Sequence, residues 1–549
     1  MILTKPFMAA LSLSLALGAC ASVDSRRDTD AGQFASPAET IRADVAWLAD
    51  DAREGREAGT RAYLEAAEYV AARMKAIGLE PAGDDGWYQE VPLRAATPVL
   101  EAAVLSITNK DGETEKLTHL DDFRVFPSID ASAFAVSAPA VFVGFGIFAP
   151  EAGHDDYAGL DVTGKIVVYF GGAPDSFESE QRAHYGSGSL KASEAAARGA
   201  VGTITLQTSA SVKRRPWARF IANPKAVSMR WVGPDGRVNI SGPGIKGRAV
   251  LNPAVSAKLF EGGDKSYADV LAEADANGGA PKGFDLPVTV SMKGAVDLKD
   301  LKSPNVAGLI RGADPVLRNE YVVLTAHLDH IGVNQTLVAE GKDGINNGAM
   351  DNALGVATML AVARRLKRGA PLARSVIILA VTGEEKGLLG AGYFAHFPTV
   401  PKDAIVANVN LDMPVMLHSF TDVVAFGAEH STLGPITRAA LEKAGVALSP
   451  DPFPEQGIFT RSDHYRFVQQ GVPAVYLFPG FANGGEEKFN EFLENHYHKP
   501  SDDVSLPIRY DDVARFAELN YFIARDIANA PVRPRWNEGD FFGDLFAGE

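Results

Sequence analysis

The chain has 549 residues, 46% of them hydrophobic, with a formal net charge of -16 and one cysteine, Cys20. That length favours several domains over one, and the composition is globular rather than disordered. The acidic balance argues against a nucleic-acid partner, because the short run Lys213-Arg214-Arg215 cannot offset it, and a single cysteine excludes an intrachain disulfide.

Lys5 precedes an apolar run, 7–17, followed by Leu17-Gly18-Ala19-Cys20. The run has the length of a signal-peptide core and is too short to span a bilayer. Leu17-Gly18-Ala19-Cys20 resembles a bacterial lipobox. That resemblance implies export, removal of the signal peptide within 1–20 and lipidation of Cys20. With Ala21 and Ser22 following, it also implies anchoring to the outer membrane of a Gram-negative bacterium. Without the lipobox, the same stretch reads as an ordinary signal peptide. Residues 21–37 are small and polar and read as a tether.

From 38 to 77 the pattern is helical: Ile41, Val45 and Leu48, then Tyr63, Ala67 and Val70, recur at helical spacing, and Gly78 supplies a stop. Residues 38–125 are assigned to the N-terminal part of the main domain. Short β-type runs at 140–143, 166–169 and 203–206, punctuated by glycine and proline, mark 126–295 as an inserted β-rich domain. From 296 to 530, apolar strands (321–326, 375–381, 405–411, 474–478) alternate with helices such as 354–366. This order predicts an α/β fold with a mixed, largely parallel sheet covered by helices on both faces. Residues 531–549 form a proline-rich, acidic and aromatic tail, read as packing loosely or mediating a contact.

The chemistry gathers where these strands end. His327-Leu328-Asp329 follows the first strand, Gly383-Glu384-Glu385 the second and Asp412 the third. Ligands bind beyond the carboxyl ends of such strands. Asp351 precedes the 354–366 helix, and His498 lies in Tyr497-His498-Lys499-Pro500-Ser501-Asp502. Two imidazoles and three carboxylates make a nitrogen and oxygen set that suits zinc. Five ligands exceed what one catalytic zinc needs. With Asp351 bridging, they give each of two metals three protein contacts.

His327-x-Asp329, Asp351-Asn352, Glu384-Glu385, Asp412 and His498-x-Pro500-x-Asp502 occur in the order seen in the M28 metallopeptidases, which the chain resembles over about 90–125 and 300–530. The resemblance implies a zinc exopeptidase fold and an aminopeptidase acting on peptides with a free N-terminus. It puts His327 and Asp412 on one zinc, Glu385 and His498 on the other, and Asp351 between them. Glu384 becomes the general base and acid. Asp329 would orient the His327 ring, and Asp502 would do the same for His498. His496 competes with His498, but only His498 has the family spacing. Ser462-Asp463-His464 resembles a family segment near the substrate, so Asp463 and His464 are read as pocket residues or as supports behind the ligands. His330 is placed at the rim.

The insertion resembles a protease-associated domain through Phe145-Gly146-Ile147, Asp155-Asp156-Tyr157, Gly164-Lys165-Ile166-Val167-Val168 and the helix-like 191–199 segment. Met413-Pro414 departs from the family pattern after Asp412 and bears on the pocket rather than on the ligand. A carboxypeptidase or dipeptidase of the same fold is the first alternative. It needs a basic clamp, and the metal-site segments contain no arginine cluster. A glutaminyl cyclase would use a single zinc. A non-catalytic scaffold or receptor-like relative would have lost ligands that are all present here. Side-chain preference, oligomeric state and native metal are not legible in the sequence.

Overall fold

The computed structural model describes residues 36–548. The signal segment, Cys20 and nearly all of the 21–37 tether lie outside the described residues. Among the described residues, no helix is long and apolar enough to cross a membrane.

The centre of the main sheet is four parallel strands, side by side in the order Ser375–Val381, Tyr321–His327, Ile405–Asn410 and Ala474–Pro479. Their apolar runs are buried on both faces, as parallel strands between helices require. Antiparallel neighbours flank them: Asp422–Phe426 on one side, and Phe284–Ile310 followed by Tyr88–Pro98 on the other. The largely parallel sheet expected from the strand–helix alternation is therefore present.

Alternation along each strand divides the core. Val322 and Leu324 pack with the helices Leu354–Arg368, Tyr510–Ala528 and Pro37–Leu48, whereas Val323 packs with Phe394 and Phe467 from the opposite layer. Each large apolar side chain removed from water contributes about 1.5–3 kcal/mol, so the sheet is held mainly by these two layers.

The helical pattern over 38–77 is not one helix. It breaks between Pro37–Leu48 and Arg61–Ile77 into a short turn, Asp51–Arg56. Asp50 starts this turn by accepting from the Ala52 amide at 2.9 Å, and Gly55, at φ 66°, reverses the chain. Thr60 then caps the second helix, which ends at Gly78 with φ 92°. The break delivers Arg56 to the interior.

A second sheet with its own core contains Val104–Asn109, Phe123–Pro127, Ala133–Phe142, Ile166–Phe170, Gly202–Leu206 and Gly247–Leu251. The strands at 104–127 belong to this sheet, so the division placed at 125/126 moves back to about 103. There is no clean boundary at 295/296 either. The single strand Phe284–Ile310 pairs with the second sheet in its first half and with the main sheet in its second. Within the insertion, Ser228–Trp231 returns to pair with Tyr88–Pro98 at the edge of the main sheet.

The tail does not pack loosely. Trp536 and Phe542 are buried, Trp536 Nε1 donates to Gly471 O at 2.9 Å, and Asp540 contacts His430 at 2.6 Å. His430 also meets Glu180 of the insertion at 2.6 Å. Burial opposes a charge on His430, but Asp540 and Glu180 outweigh it and push its pKa up to about 10. A protonated histidine thus clasps insertion, main domain and tail together.

Candidate metal centre

Each parallel strand hands over to a loop at the same edge of the sheet, and those loops carry the polar cluster. His327 ends its strand and is 1% exposed. Its Nε2 lies 3.2 Å from Asp351 Oδ1 and 3.1 Å from Asp412 Oδ1. His498 Nε2 lies 3.3 Å from Asp351 Oδ2 and 3.2 Å from Glu385 Oε2. Asp351 thus presents one oxygen to each histidine. Bonds of about 2.0–2.1 Å at a tetrahedral angle place two ligand atoms about 3.3 Å apart, so all four spacings fit atoms gathered around a cation.

Hydrogen bonding points the same way. His498 Nε2, Glu385 Oε1 and both ring nitrogens of His330 are buried without an aligned hydrogen-bond partner. Buried polar atoms left this way are costly unless something else satisfies them. The donor set is chemically suited to zinc. His496 is turned elsewhere, toward Ser501 and Glu491.

The local backbone explains how the ligands converge. Gly348, at φ 60°, precedes Asp351; a Cβ there would sit 2.2 Å from Asp351 O and 2.7 Å from the His330 ring. The Asp351–Asn352 peptide is cis. Asn352 then ties this loop to the Asp412 loop: its amide donates to Leu411 O, and its carbonyl oxygen accepts from Gly355 and Met413 amides, all at 3.0 Å. Ser462 Oγ donates to Asp412 Oδ2 at 2.5 Å, which leaves Oδ1 facing His327. Tyr497 stacks on the His498 ring at 3.8 Å.

Two supporting aspartates do something other than the expected ring orientation. The Asp329 backbone carbonyl, not its carboxylate, holds His327 Nδ1 at 3.0 Å. The carboxylate instead accepts from the amides of Glu384 at 3.0 Å and Glu385 at 3.4 Å, fixing the turn that presents both. Asp502 likewise does not touch His498. Its carboxylate accepts from the amides of Met350 at 2.8 Å and Asp351 at 3.0 Å, bracing the bridging ligand from behind. Such supports commonly alter metal affinity about 10–100-fold when removed. Asp502→Asn offers one acceptor and one donor where two acceptors are needed. It is expected to weaken metal binding by about that factor, read by competition with a chromogenic chelator. Unchanged affinity would show that the brace is dispensable.

His330 is fully buried rather than at the rim, with Nδ1 2.8 Å from Glu385 Oε1 and 3.9 Å from Asp351 Oδ2. Its longer reach to Asp351 makes His498 the better-spaced ligand and places His330 behind Glu385. Asp463 and His464 are also fully buried, so they support the site rather than line an open pocket. Burial, reinforced by Asp412 and Asp329, raises Asp463 to about 8, while burial lowers His464 to about 3. Burial drives Glu384 well above the usual carboxylate range against the pull of His327, with Glu385, Asp412 and Asp463 adding to the rise.

Arg56 is the residue that the sequence reading missed. It is fully buried, and its guanidinium donates only to backbone carbonyls: Leu328 at 3.0 Å, Leu48 at 2.6 Å, Asn347 at 2.6 Å and Gly348 at 3.0 Å. One side chain therefore joins the His327 loop, the Asp351 loop and the end of the first helix. Burial lowers its pKa to about 10, opposed by Asp502, Asp329, Asp351 and Glu385, so it stays charged at neutral pH behind those carboxylates.

Residues 305–523 match the model of Peptidase family M28. The match contains every residue of the cluster except Arg56. A probable leucine aminopeptidase 2 of Aspergillus fumigatus is 28% identical over 215 residues, covering 37% of this chain and 40% of that protein. A probable zinc metalloprotease of Pyricularia oryzae is 27% identical over 219 residues, covering 34% and 43%. The chain thus matches about two fifths of the length of these curated relatives. The aminopeptidase of Aneurinibacillus sp. strain AM-1 shares the fold, with a TM-score of 0.52 and 19% identity, covering 90% of this chain and 95% of that one.

Proposed function

We propose that this M28-matching chain is a dinuclear zinc aminopeptidase. The observation that carries the proposal is Asp351, whose two oxygens lie at ligand spacing from two different histidines. His327 and Asp412 would complete one centre, and His498 and Glu385 the other. Zinc, when bound, supplies Lewis acidity that acidifies water and polarises the scissile carbonyl. Glu384 takes the proton of the attacking water and returns it to the leaving amine. Asp329 holds Glu384 and Glu385 in register by their amides. The relatives named for aminopeptidase and zinc metalloprotease activity support the same reading.

The inserted unit is read as a protease-associated domain on its sequence segments. The lipobox-like string supports export and anchoring through Cys20 to an outer membrane. The function is tested with a peptide pool, half with free and half with acetylated N-termini, followed by mass spectrometry with and without chelator. Stepwise loss from free N-termini alone, abolished by chelator, is the expected result. Trimming from the C-terminus of acetylated peptides would move the assignment to a carboxypeptidase.

A further inference from the structure

The fold assembles an arginine cluster that the metal-site segments do not contain. Arg230 comes from the insertion's edge strand Ser228–Trp231, Arg248 from Gly247–Leu251 and Arg466 from the helix His464–Val468. Arg230 and Arg466 line a cavity of about 510 Å³ at the seam between insertion and main domain, and Arg230 and Arg248 line its neighbour. Among the described residues, none of the three sits in an ion pair. Arg230 donates to Met229 O, Arg248 to Ser241 O, and Arg466 to Gln469 Oε1 and Gly387 O. In a chain with 69 acidic and 53 basic residues, three guanidiniums near one another with no carboxylate in direct contact is a costly arrangement, although Asp463 and Glu384 act on Arg466 and Asp130 on Arg248 from farther away. The first cavity adds Ser187, Ser189, Asn239 and Ser241, all neutral hydrogen-bonding side chains.

We propose that this seam is an oxyanion-binding subsite whose ligand is the C-terminal carboxylate of a short peptide. The proposal rests on the aminopeptidase reading. Burial, together with the charges of Arg248 and Arg466, lowers the pKa of Arg230, so an anion between them would relieve both repulsion and desolvation. Arginine is the side chain best matched to a carboxylate, through two parallel N–H donors.

Reach is consistent. Gly387 and Leu388 line the cavity, and both amides return to Glu384 O at 2.8 Å, so the cavity wall lies within one turn of the proposed base. An extended tripeptide spans about 10 Å, enough to place its carboxylate beyond that turn. The seam would thus reward short peptides whose far end is charged, and the insertion would contribute directly to substrate choice through Arg230.

The test compares tripeptides as free acids and as C-terminal amides, with wild-type protein, Arg230→Gln and Arg230→Lys. It adds a thermal shift with inorganic phosphate. The expected result is a kcat/KM ratio of acid to amide of about tenfold in wild type, near one in Arg230→Gln and partly restored in Arg230→Lys. An acid-to-amide ratio near one in all three, with phosphate raising the Tm of wild type but not of Arg230→Gln, keeps the oxyanion site but assigns it to a free anion. A ratio near one together with no phosphate response overturns the inference. Wild-type cleavage of the amides in that case leaves the aminopeptidase reading standing, whereas cleavage of neither peptide form would count against that reading itself.

Discussion

Glu384→Gln is expected to retain the metals of the wild-type protein and to lose about 10²–10⁴-fold in kcat. Glutamine is nearly isosteric with glutamate and keeps the backbone amide that donates to Asp329. It cannot take a proton from water. None of the five proposed ligand positions includes Glu384, so the cage is untouched. Kinetics paired with metal analysis checks this. A metal-loaded variant with wild-type turnover would remove Glu384 from the chemistry and leave the proton transfer without an obvious owner.

Arg56→Met is expected to cost on the order of 3–5 kcal/mol of stability, a size typical of breaking a buried charged interaction. Methionine fills much of the space but leaves the carbonyls of Leu328, Leu48 and Asn347 without the donor they have now, and Gly348 O with the Ala353 amide alone. It also removes the buried cation behind Asp329, Asp351, Glu385 and Asp502. The His327 and Asp351 loops should loosen together, so metal affinity falls along with the urea midpoint. Arg56→Lys keeps the charge but has fewer donors than carbonyls to serve, and it should fall between wild type and Arg56→Met. A wild-type midpoint and wild-type metal affinity for Arg56→Met would show that the three segments hold together without it.

The contrast between Glu384 and Arg56 shows what was legible in the sequence. Strands such as 321–326 and 375–381 declare themselves because a parallel strand between helix layers must be apolar throughout. Polar residues directly beyond those runs then stand out, which is how His327, Glu384, Glu385 and Asp412 could be singled out. Arg56 lies 272 residues from its partner Leu328. It sits in Arg53-Glu54-Gly55-Arg56, a charged stretch that reads as solvated loop. Gly55 and Gly59 are the residues in this stretch whose backbone freedom favours a break in the helical pattern.

The same limit applies to the supports. The family resemblance implied that Asp329 and Asp502 orient histidines, yet both carboxylates go to backbone amides, because the tight turns at 350–351 and 384–385 leave those amides facing inward. The single 27-residue strand Phe284–Ile310 hid the domain boundary, since one continuous β pattern serves two sheets. His330 was read as rim from its closeness to His327 in sequence. Its burial depends on Gly348, which lets the Asp351 loop close against the ring.

The most direct test of the dinuclear centre is a crystal structure of the zinc-loaded protein with anomalous data collected on both sides of the zinc absorption edge. Two zinc peaks are predicted, one among His327, Asp351 and Asp412 and the other among Asp351, Glu385 and His498, with Asp351 touching both. A single peak, or a second peak held by His330 with His498 turned away, would contradict the centre described here.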